Sequence, residues 1–256
     1  MSGTVEAVIF DWGGTLTPWH TVDVAEIWAS TYAASAFPRD QRLADRLARA
    51  LVAADAAAWT RGREEHVSAS LEQIVATACA AADVAHAAVS TQAAADAYAR
   101  AWEPHTLTDP SAATVLRDLR ARGIKVGVLS NTIWSRGYHR GIFERDDVLH
   151  LIDADVYSSE IDWVKPHPET FLLAARAVSA APQRCVYVGD RMYEDIWGPA
   201  QVGIRTIYIP HSDVPAEHVV QIDAQPDAVA ASLTAVSEIV SGWHTSAATN
   251  AAGDTL

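Results

Sequence analysis

One stretch near the start of the chain constrains the fold more than any other, and it reads VIFDWGGTLT from Val8 to Thr17. Its first three residues form an apolar run typical of a buried strand. Two glycines come shortly after Asp11 in the sequence. They end that strand and allow the backbone to approach a bound group closely. Asp11 is therefore expected at the carboxyl end of a strand, where open α/β sheets bind ligands. Taken alone, the pattern is equally typical of an ordinary strand-to-loop turn.

Strand and helix patterns alternate along most of the remaining sequence. Apolar runs predict strands at 5–10, 125–129, 155–158, 184–188 and 205–209, and helical patterns follow near residues 109, 168, 195 and 226. Because alternation of this kind requires crossover connections, it predicts parallel pairing in an α/β fold. We therefore expect a doubly wound parallel sheet with helices on both faces.

The segment 18–107 has a different texture, because it is rich in alanine and lacks strand-like runs. Apolar residues recur there at intervals of three and four, which predicts three to five amphipathic helices with breaks at 37–40 and 61–63. We expect a core formed by 1–17 and 108–240 and a helical insert at 18–107. The Ser-, Thr-, Ala- and Gly-rich segment 241–256 predicts a disordered tail.

Composition narrows the choice of partners. The formal net charge of -13 disfavours nucleic acid and anionic membranes. A small anionic substrate stays open, because a metal ion and a few cations can reverse the sign of a pocket. Cys79 and Cys185 are far apart, which favours a reducing, cytoplasmic compartment. The start resembles no signal peptide, and no apolar run reaches the length of a membrane span.

Polar residues follow three of the predicted strands, and parallel strands bring such ends to one edge. They are Asp11 after the first strand, Ser130 and Asn131 after the second, and Asp190 after the fourth. Glu194 and Asp195 come shortly after Asp190, and Lys165 lies in the proline-flanked loop WVKPHP. The sequence therefore predicts carboxylates, a hydroxyl, an amide and an ammonium close together.

This set of groups suits phosphoryl transfer. Carboxylates with backbone carbonyls and water hold Mg²⁺, and a carboxylate can attack phosphorus to form an aspartyl-phosphate. Donors from Thr15, Ser130, the Asn131 backbone and Lys165 would hold the transferring oxygens.

These segments together resemble the motifs of the haloacid dehalogenase-like hydrolase superfamily. In this chain the counterpart of motif one is Asp11 with Gly14-Thr15-Leu16, and that of motif two is Ser130-Asn131. Motif three resembles Lys165-Pro166, and motif four resembles Gly189-Asp190 with Asp195. The resemblance covers 5–17 and 108–210, with the helical insert where the family's first-type cap belongs. It implies a Rossmann-like core, Mg²⁺ dependence and a cap that covers a small phosphorylated substrate.

The resemblance also implies roles for individual residues. Asp11 would be the nucleophile and a metal ligand, Gly13 would offer its backbone carbonyl to the metal, and Asp190 would be a direct ligand. Glu194 and Asp195 would orient ligands or waters. The phosphate-binding residues implied are Gly14, Thr15, Ser130, Asn131 and Lys165.

The sequence departs from the family at one position. Phosphatases of this family carry a second Asp two residues after the nucleophile, which protonates the leaving oxygen, and here that residue is Gly13. General acid–base catalysis contributes roughly 10²–10⁴-fold. An uncompensated loss therefore predicts a slow phosphatase with weakened or specialised acid–base chemistry.

Different reactions within the family would explain Gly13 in another way. Phosphonoacetaldehyde hydrolases have a small residue there, but they need a cap lysine, and 18–107 contains none. The dehalogenases are metal-independent and differ at motifs one and four, whereas Asp190, Glu194 and Asp195 are present here. Both reactions are therefore disfavoured.

Three further explanations stay open. His20 can supply the missing proton, or it can be a plain hinge histidine. A substrate with a good leaving group, such as an acyl phosphate, needs no acid. The chain can also have lost turnover and act as a binding or regulatory module.

Several other side chains have two interpretations each. Trp12, Trp19, Trp163 and Trp197 can form an aromatic wall for the substrate or pack between core and cap. The polar turn 61–66 and the basic residues Arg136, His139 and Arg140 can contact an anionic ligand or face solvent.

Overall fold

A computed structural model describes residues 4–85, 91–210 and 219–253. Its strands form one sheet in the order β3-β2-β1-β4-β5-β6, and every neighbouring pair is parallel. The strands are β1 Ala7–Phe10, β2 Lys125–Ser130, β3 Ala154–Tyr157, β4 Cys185–Gly189, β5 Arg205–Tyr208 and β6 Ala228–Val229. The predicted doubly wound parallel sheet is confirmed. The two-residue β6 is an addition, because so short a strand leaves no periodic signal.

The central strand β1 packs on both faces of the sheet. Val8 and Phe10 lie in one hydrophobic cluster, and Ala7 and Ile9 lie in another on the opposite face. Phe10 pairs with Val128 of β2 on one side and with a β4 residue on the other. The carboxyl ends of β1, β2 and β4 therefore meet at one edge of the sheet.

The insert is helical throughout its described elements. It contains α1 Val24–Ile27, α2 Ala34–Ala36, α3 Gln41–Glu65, α4 Leu71–Ala81 and α5 Thr91–Trp102, with a π-helical segment Trp28–Ala33 and a 3-10 turn Glu103–His105. Residues 86–90 of the predicted insert lie outside the described residues. The described elements agree with the expectation of helices without strands.

One of the two predicted breaks in the insert is observed. Asp40 ends the first break by accepting the N–H of Leu43 at 3.1 Å and capping α3. The predicted break at 61–63 is wrong, because α3 continues through Gly62 and ends at Glu65, followed by the C-cap residue His66 with a φ of 56°. A single glycine costs a long helix only about 1 kcal/mol, which the buried face of α3 offsets.

The core contributes α6 Ala112–Ala121, α7 Arg136–Arg145, α8 Pro168–Ala177, α9 Gly198–Ala200 and α10 Leu233–Gly253, with a π-helical segment Met192–Trp197. Short 3-10 turns occupy Leu149–Leu151, Ser158–Glu160 and Pro182–Arg184. We expected a last helix over 226–239 and a disordered tail from Ser241, whereas α10 continues to Gly253. Alanine has the highest helix propensity, and this segment is alanine-rich. Residues 254–256 of the predicted tail lie outside the described residues.

The insert lies directly on the carboxyl edge of the sheet. Val67 forms an antiparallel bridge with Trp163, and Val164 donates its N–H to the His66 carbonyl at 3.0 Å. Val164 immediately precedes Lys165, so the insert contacts the segment that delivers this lysine. No helix in the described part of the chain is both long and apolar enough to cross a membrane.

Candidate active site

Three buried carboxylates meet at the edge of the sheet. Asp11 follows β1, Asp190 follows β4, and Asp195 lies in the π-helical segment after it. One oxygen of each lies within 4.8 Å of the others. Asp195 is fully buried and therefore belongs to this cluster as closely as the other two. Its Oδ1 accepts from Lys165 Nζ at 2.6 Å and its Oδ2 accepts the Arg191 N–H at 3.0 Å, so both oxygens have protein partners, as the predicted orienting role requires.

Lys165 is paired with this cluster. Its Nζ lies 2.9 Å from Asp11 Oδ1 and 2.6 Å from Asp195 Oδ1. The same nitrogen donates to the hydroxyl of Tyr187 at 2.9 Å. An ammonium has three N–H donors, so these three acceptors use all of them. Burial would lower the pKa of Lys165, but the two carboxylates outweigh it and raise that pKa well above its usual value.

Burial and mutual repulsion make the clustered carboxyl groups harder to ionise, which raises their pKa values. Burial, the largest cause, raises the pKa of Asp11 to about 6, although Lys165 opposes the shift. Burial and the charges of Asp195 and Asp11 raise the pKa of Asp190 to about 8. If all three carboxyl groups were ionised, the site would carry more negative charge than Lys165 alone can balance, and the raised pKa values of Asp11 and Asp190 reflect this.

The donor set fits a hard divalent cation. Both carboxylate oxygens of Asp190 are buried, and they accept no hydrogen bond from any described residue. Arg191 Nε approaches Asp190 Oδ2 only to 3.6 Å. Carboxylate oxygens are the ligands that Mg²⁺ prefers in proteins, and among the three carboxylates Asp190 has both oxygens free of hydrogen bonds from the described residues.

The glycine loop after Asp11 is a tight turn. Gly14 has a φ of 86°, which favours glycine, and its N–H donates to the Thr17 carbonyl at 2.7 Å. The buried hydroxyl of Thr15 has no partner among the described residues, so it can donate to a ligand. A Cβ on Gly13 would meet no atom within 4 Å. The position of the absent aspartate is therefore open space.

Ser130 and Asn131 have different surroundings. The hydroxyl of Ser130 makes only a 3.5 Å contact with the Asn131 carbonyl, so it can bind a ligand. The side chain of Asn131 accepts the N–H of Lys165 at 2.8 Å and donates to its carbonyl at 3.0 Å. The amide of Asn131 is therefore committed to holding the Lys165 loop.

The remaining predicted residues lie around this centre. Glu194 is in the same segment as Asp195, and burial followed by the charge of Asp195 raises its pKa. His20 is exposed, and its ring faces His105 with centroids 5.4 Å apart. These two histidines lie on the two connections between insert and core, which favours the hinge interpretation of His20.

The tryptophans near the site make packing contacts. Trp12 contacts His139 edge-on at 4.5 Å, and Arg191 lies 4.8 Å above the ring of Trp19. Trp163 stacks on His167 and Trp197 stacks on Tyr193. These contacts favour the packing interpretation of the four side chains.

The basic side chains that the sequence offered as anion contacts have partners within the protein. Arg136 and Arg140 both form ion pairs with buried Asp155 on the edge strand β3. In the insert, His66 Nε2 lies 3.4 Å from the Tyr193 hydroxyl, at the rim of the site.

Tyr187 is the site residue that the sequence reasoning missed. It lies in the middle of β4, a strand that otherwise reads as a plain buried apolar run. The available signal was a single polar hydroxyl in that run, three residues before Asp190.

Comparisons with known proteins agree with this geometry. A family described as haloacid dehalogenase-like hydrolase matches residues 5–203. A glyceraldehyde 3-phosphate phosphatase from Methanothermobacter thermautotrophicus is 33% identical over 100 residues, covering 39% of this chain and 43% of that protein. A phosphoglycolate phosphatase from Escherichia coli is 28% identical over 93 residues, covering 36% of each chain. The chain therefore matches about two fifths of the length of these curated relatives.

Solved structures share the fold. A HAD phosphatase from Thermococcus onnurineus aligns with a TM-score of 0.60 and 17% identity, covering 93% of this chain and 99% of that one. An L-2-haloacid dehalogenase from Xanthobacter autotrophicus aligns with a TM-score of 0.59 and 17% identity, with the same coverage. At this level of identity the likeness concerns the fold alone.

Proposed function

The chain belongs to the haloacid dehalogenase-like hydrolase family, and from this premise we propose that it is a Mg²⁺-dependent hydrolase of phosphatase type. Its substrate is a small phosphorylated metabolite, and an aspartyl-phosphate forms on Asp11. One observation supports this most strongly: three buried carboxylates lie within 4.8 Å of one another, and the nucleophile candidate is ion-paired to Lys165. The phosphatase names of the two relatives support the substrate class.

In this proposal Asp11 and Asp190, with the backbone carbonyl of Gly13, would hold Mg²⁺, and Asp195 would orient the ligands from its place in the same cluster. When bound, the cation supplies positive charge that offsets the carboxylates and the phosphoryl group. Asp190 fits this role because its oxygens accept no other hydrogen bond from the described residues.

Asp11 performs the covalent step. Lys165 holds one of its carboxylate oxygens, and the other attacks phosphorus. An oxygen–phosphorus bond to Asp11 forms while the bond to the leaving oxygen breaks. The leaving oxygen departs as its anion. Water then attacks the same phosphorus while the bond between phosphorus and Asp11 breaks; the phosphate product keeps the protons of the water, and the carboxylate is restored. Thr15 and Ser130, whose hydroxyls are available, hold the transferring oxygens.

The open space at Gly13 limits the leaving group. With no carboxyl to protonate the departing oxygen, substrates with acidic leaving groups, such as acyl or aryl phosphates, react faster than alkyl phosphates. The helical insert serves as a cap in this proposal, because its 66–68 segment pairs with the loop before Lys165.

The test measures hydrolysis of p-nitrophenyl phosphate, acetyl phosphate and 2-phosphoglycolate with and without Mg²⁺. We expect turnover that requires Mg²⁺ and is abolished in Asp11→Asn, with the aryl and acyl substrates fastest. Unchanged activity in Asp11→Asn would refute the nucleophile. Tight vanadate binding without turnover of any substrate would favour the binding-module alternative.

A further inference from the structure

We propose that Tyr187 is a positioning residue of this site: its hydroxyl accepts one N–H of Lys165 and so keeps the ammonium on Asp11 and Asp195. This inference rests on the proposed function, since it assigns a role within the same site. Tyr187 lies beneath the carboxylates and acts through Lys165.

The donor and the acceptor of each hydrogen bond around Lys165 can be assigned. Tyr187 donates its own proton to the Leu129 carbonyl at 2.9 Å. Its oxygen lone pairs are then left for Lys165 Nζ, which donates at 2.9 Å. The lysine has two N–H groups left, and these reach Asp11 and Asp195. Because Tyr187 donates to Leu129, its oxygen accepts from Lys165, and the other two N–H groups of the lysine are directed at the carboxylates.

Both ends of this chain of bonds are rigid. Tyr187 is fully buried in β4, and its ring packs edge-on against Phe171 of α8 with centroids 5.4 Å apart. The backbone of Lys165 is held on both sides by the amide of Asn131. Rigid support of this kind keeps a catalytic group in its productive geometry.

The arrangement has a consequence for the substrate. Because all three N–H groups of Lys165 are engaged, its ammonium orients the nucleophile, and phosphoryl oxygens are left to Thr15 and Ser130. Removing the Tyr187 hydroxyl leaves one N–H of the buried Lys165 without a partner, and an unpaired buried donor is costly. The ammonium then shifts away from Asp11, which slows attack more than it weakens substrate binding.

The kinetic test compares Tyr187→Phe with Tyr157→Phe, using p-nitrophenyl phosphate at saturating Mg²⁺. Both substitutions delete a hydroxyl from a fully buried strand tyrosine, but only Tyr187 contacts Lys165. We expect kcat to fall by about 10-fold to 100-fold in Tyr187→Phe with KM within about 2-fold. The Tyr157→Phe variant keeps the wild-type kcat. Wild-type kcat in Tyr187→Phe would overturn the inference.

A second readout does not depend on turnover. The chain contains two lysines, Lys125 and Lys165, and the side chain of Lys125 is 57% exposed. In the 256-residue chain labelled with ¹⁵N-lysine, the Lys165 ammonium should give a signal protected from water exchange. Tyr187→Phe should speed that exchange by about 10-fold or more, while Lys125 serves as the internal reference. Unchanged exchange of Lys165 in Tyr187→Phe contradicts the inference.

The two proposals fail in different ways. If Asp11→Asn hydrolyses the substrate like the wild type, the proposed function is wrong whatever Tyr187 does. If Asp11→Asn is inactive and Tyr187→Phe matches the wild type in both readouts, the function stands and the role of Tyr187 does not.

Discussion

The indole of Trp134, which follows β2 in the core, stacks on the ring of Tyr98 in α5 of the insert, with centroids 5.1 Å apart. Trp134 is only 9% exposed and belongs to the hydrophobic cluster of the insert. It lies three residues after Asn131, whose amide holds the Lys165 loop. The insert is therefore anchored to the same loop that helps to build the site.

Trp134→Ala should loosen the insert and lower its stability. Deleting a buried tryptophan side chain costs about 3–5 kcal/mol, and the lost stack should also raise KM, because the insert then covers the substrate less often. The measurements are urea denaturation and steady-state kinetics. Trp59→Ala is the matched control, since Trp59 lies on α3 of the insert and is 47% exposed. Equal effects of the two variants would contradict the anchoring role of Trp134.

Gly13→Asp should restore a proton donor to the site. The new side chain has room, because a Cβ at Gly13 meets no atom within 4 Å. We expect turnover of 2-phosphoglycolate to rise by at least about 10-fold, within the roughly 10²–10⁴-fold that acid–base catalysis can contribute. The p-nitrophenyl phosphate rate should change little, because its leaving group needs no proton.

The control for that prediction is Gly13→Asn, which has the same shape and no transferable proton. It should leave both rates near those of the wild type. A gain in Gly13→Asn equal to that in Gly13→Asp would show that packing, and not proton transfer, limits the reaction.

The residues at the strand ends could be predicted from the sequence because their signals are local. An apolar run followed at once by Asp11 or Asp190 marks a strand end, and parallel pairing then places both at one edge. The parallel sheet could be predicted from the alternation of strand and helix patterns along the sequence. The helical character of the insert followed from its apolar spacing.

Contacts between distant residues could not be read in this way. The partner of Tyr187 is Lys165, which lies in a loop that the sequence connects to no particular strand. Trp134 completes the hydrophobic cluster of the insert although it follows a core strand. Asp195 and Glu194 are adjacent and chemically alike, and only the turn of their helix decides that Asp195 faces Lys165. Such choices depend on tertiary packing.

Without metal, stability should fall as the pH rises. Asp190 has a pKa of about 8 in the folded protein and 3.8 as its ordinary value. The folded state thus holds a proton that the unfolded state has lost between about pH 4 and pH 8, so the free energy of unfolding decreases across that window. The Tm of protein treated with a chelator should fall from pH 5 to pH 8, and Asp190→Asn should flatten the decline.

Mg²⁺ should reverse this trend, because the cation binds the deprotonated carboxylates. Its effect on Tm should therefore be larger at pH 8 than at pH 5, and each kcal/mol corresponds to about 2–4 °C for a chain of this size. Asp147→Asn is the control, since that side chain is 90% exposed. A Tm without pH dependence in the chelated wild type would contradict the burial of uncompensated carboxylates.

His20→Ala distinguishes a hinge residue from a proton donor. The ring of His20 faces His105 on the second connection of the insert, so its loss should alter motion of the insert and slow all substrates alike, by less than about 3-fold. A proton donor would act differently, because its loss would slow 2-phosphoglycolate by roughly 10²-fold or more while sparing p-nitrophenyl phosphate. The measurement is the ratio of kcat/KM for the two substrates, with exposed His150→Ala as control. A ratio unchanged from the wild type assigns His20 to the hinge, and a large change assigns it to the chemistry that Gly13 cannot perform.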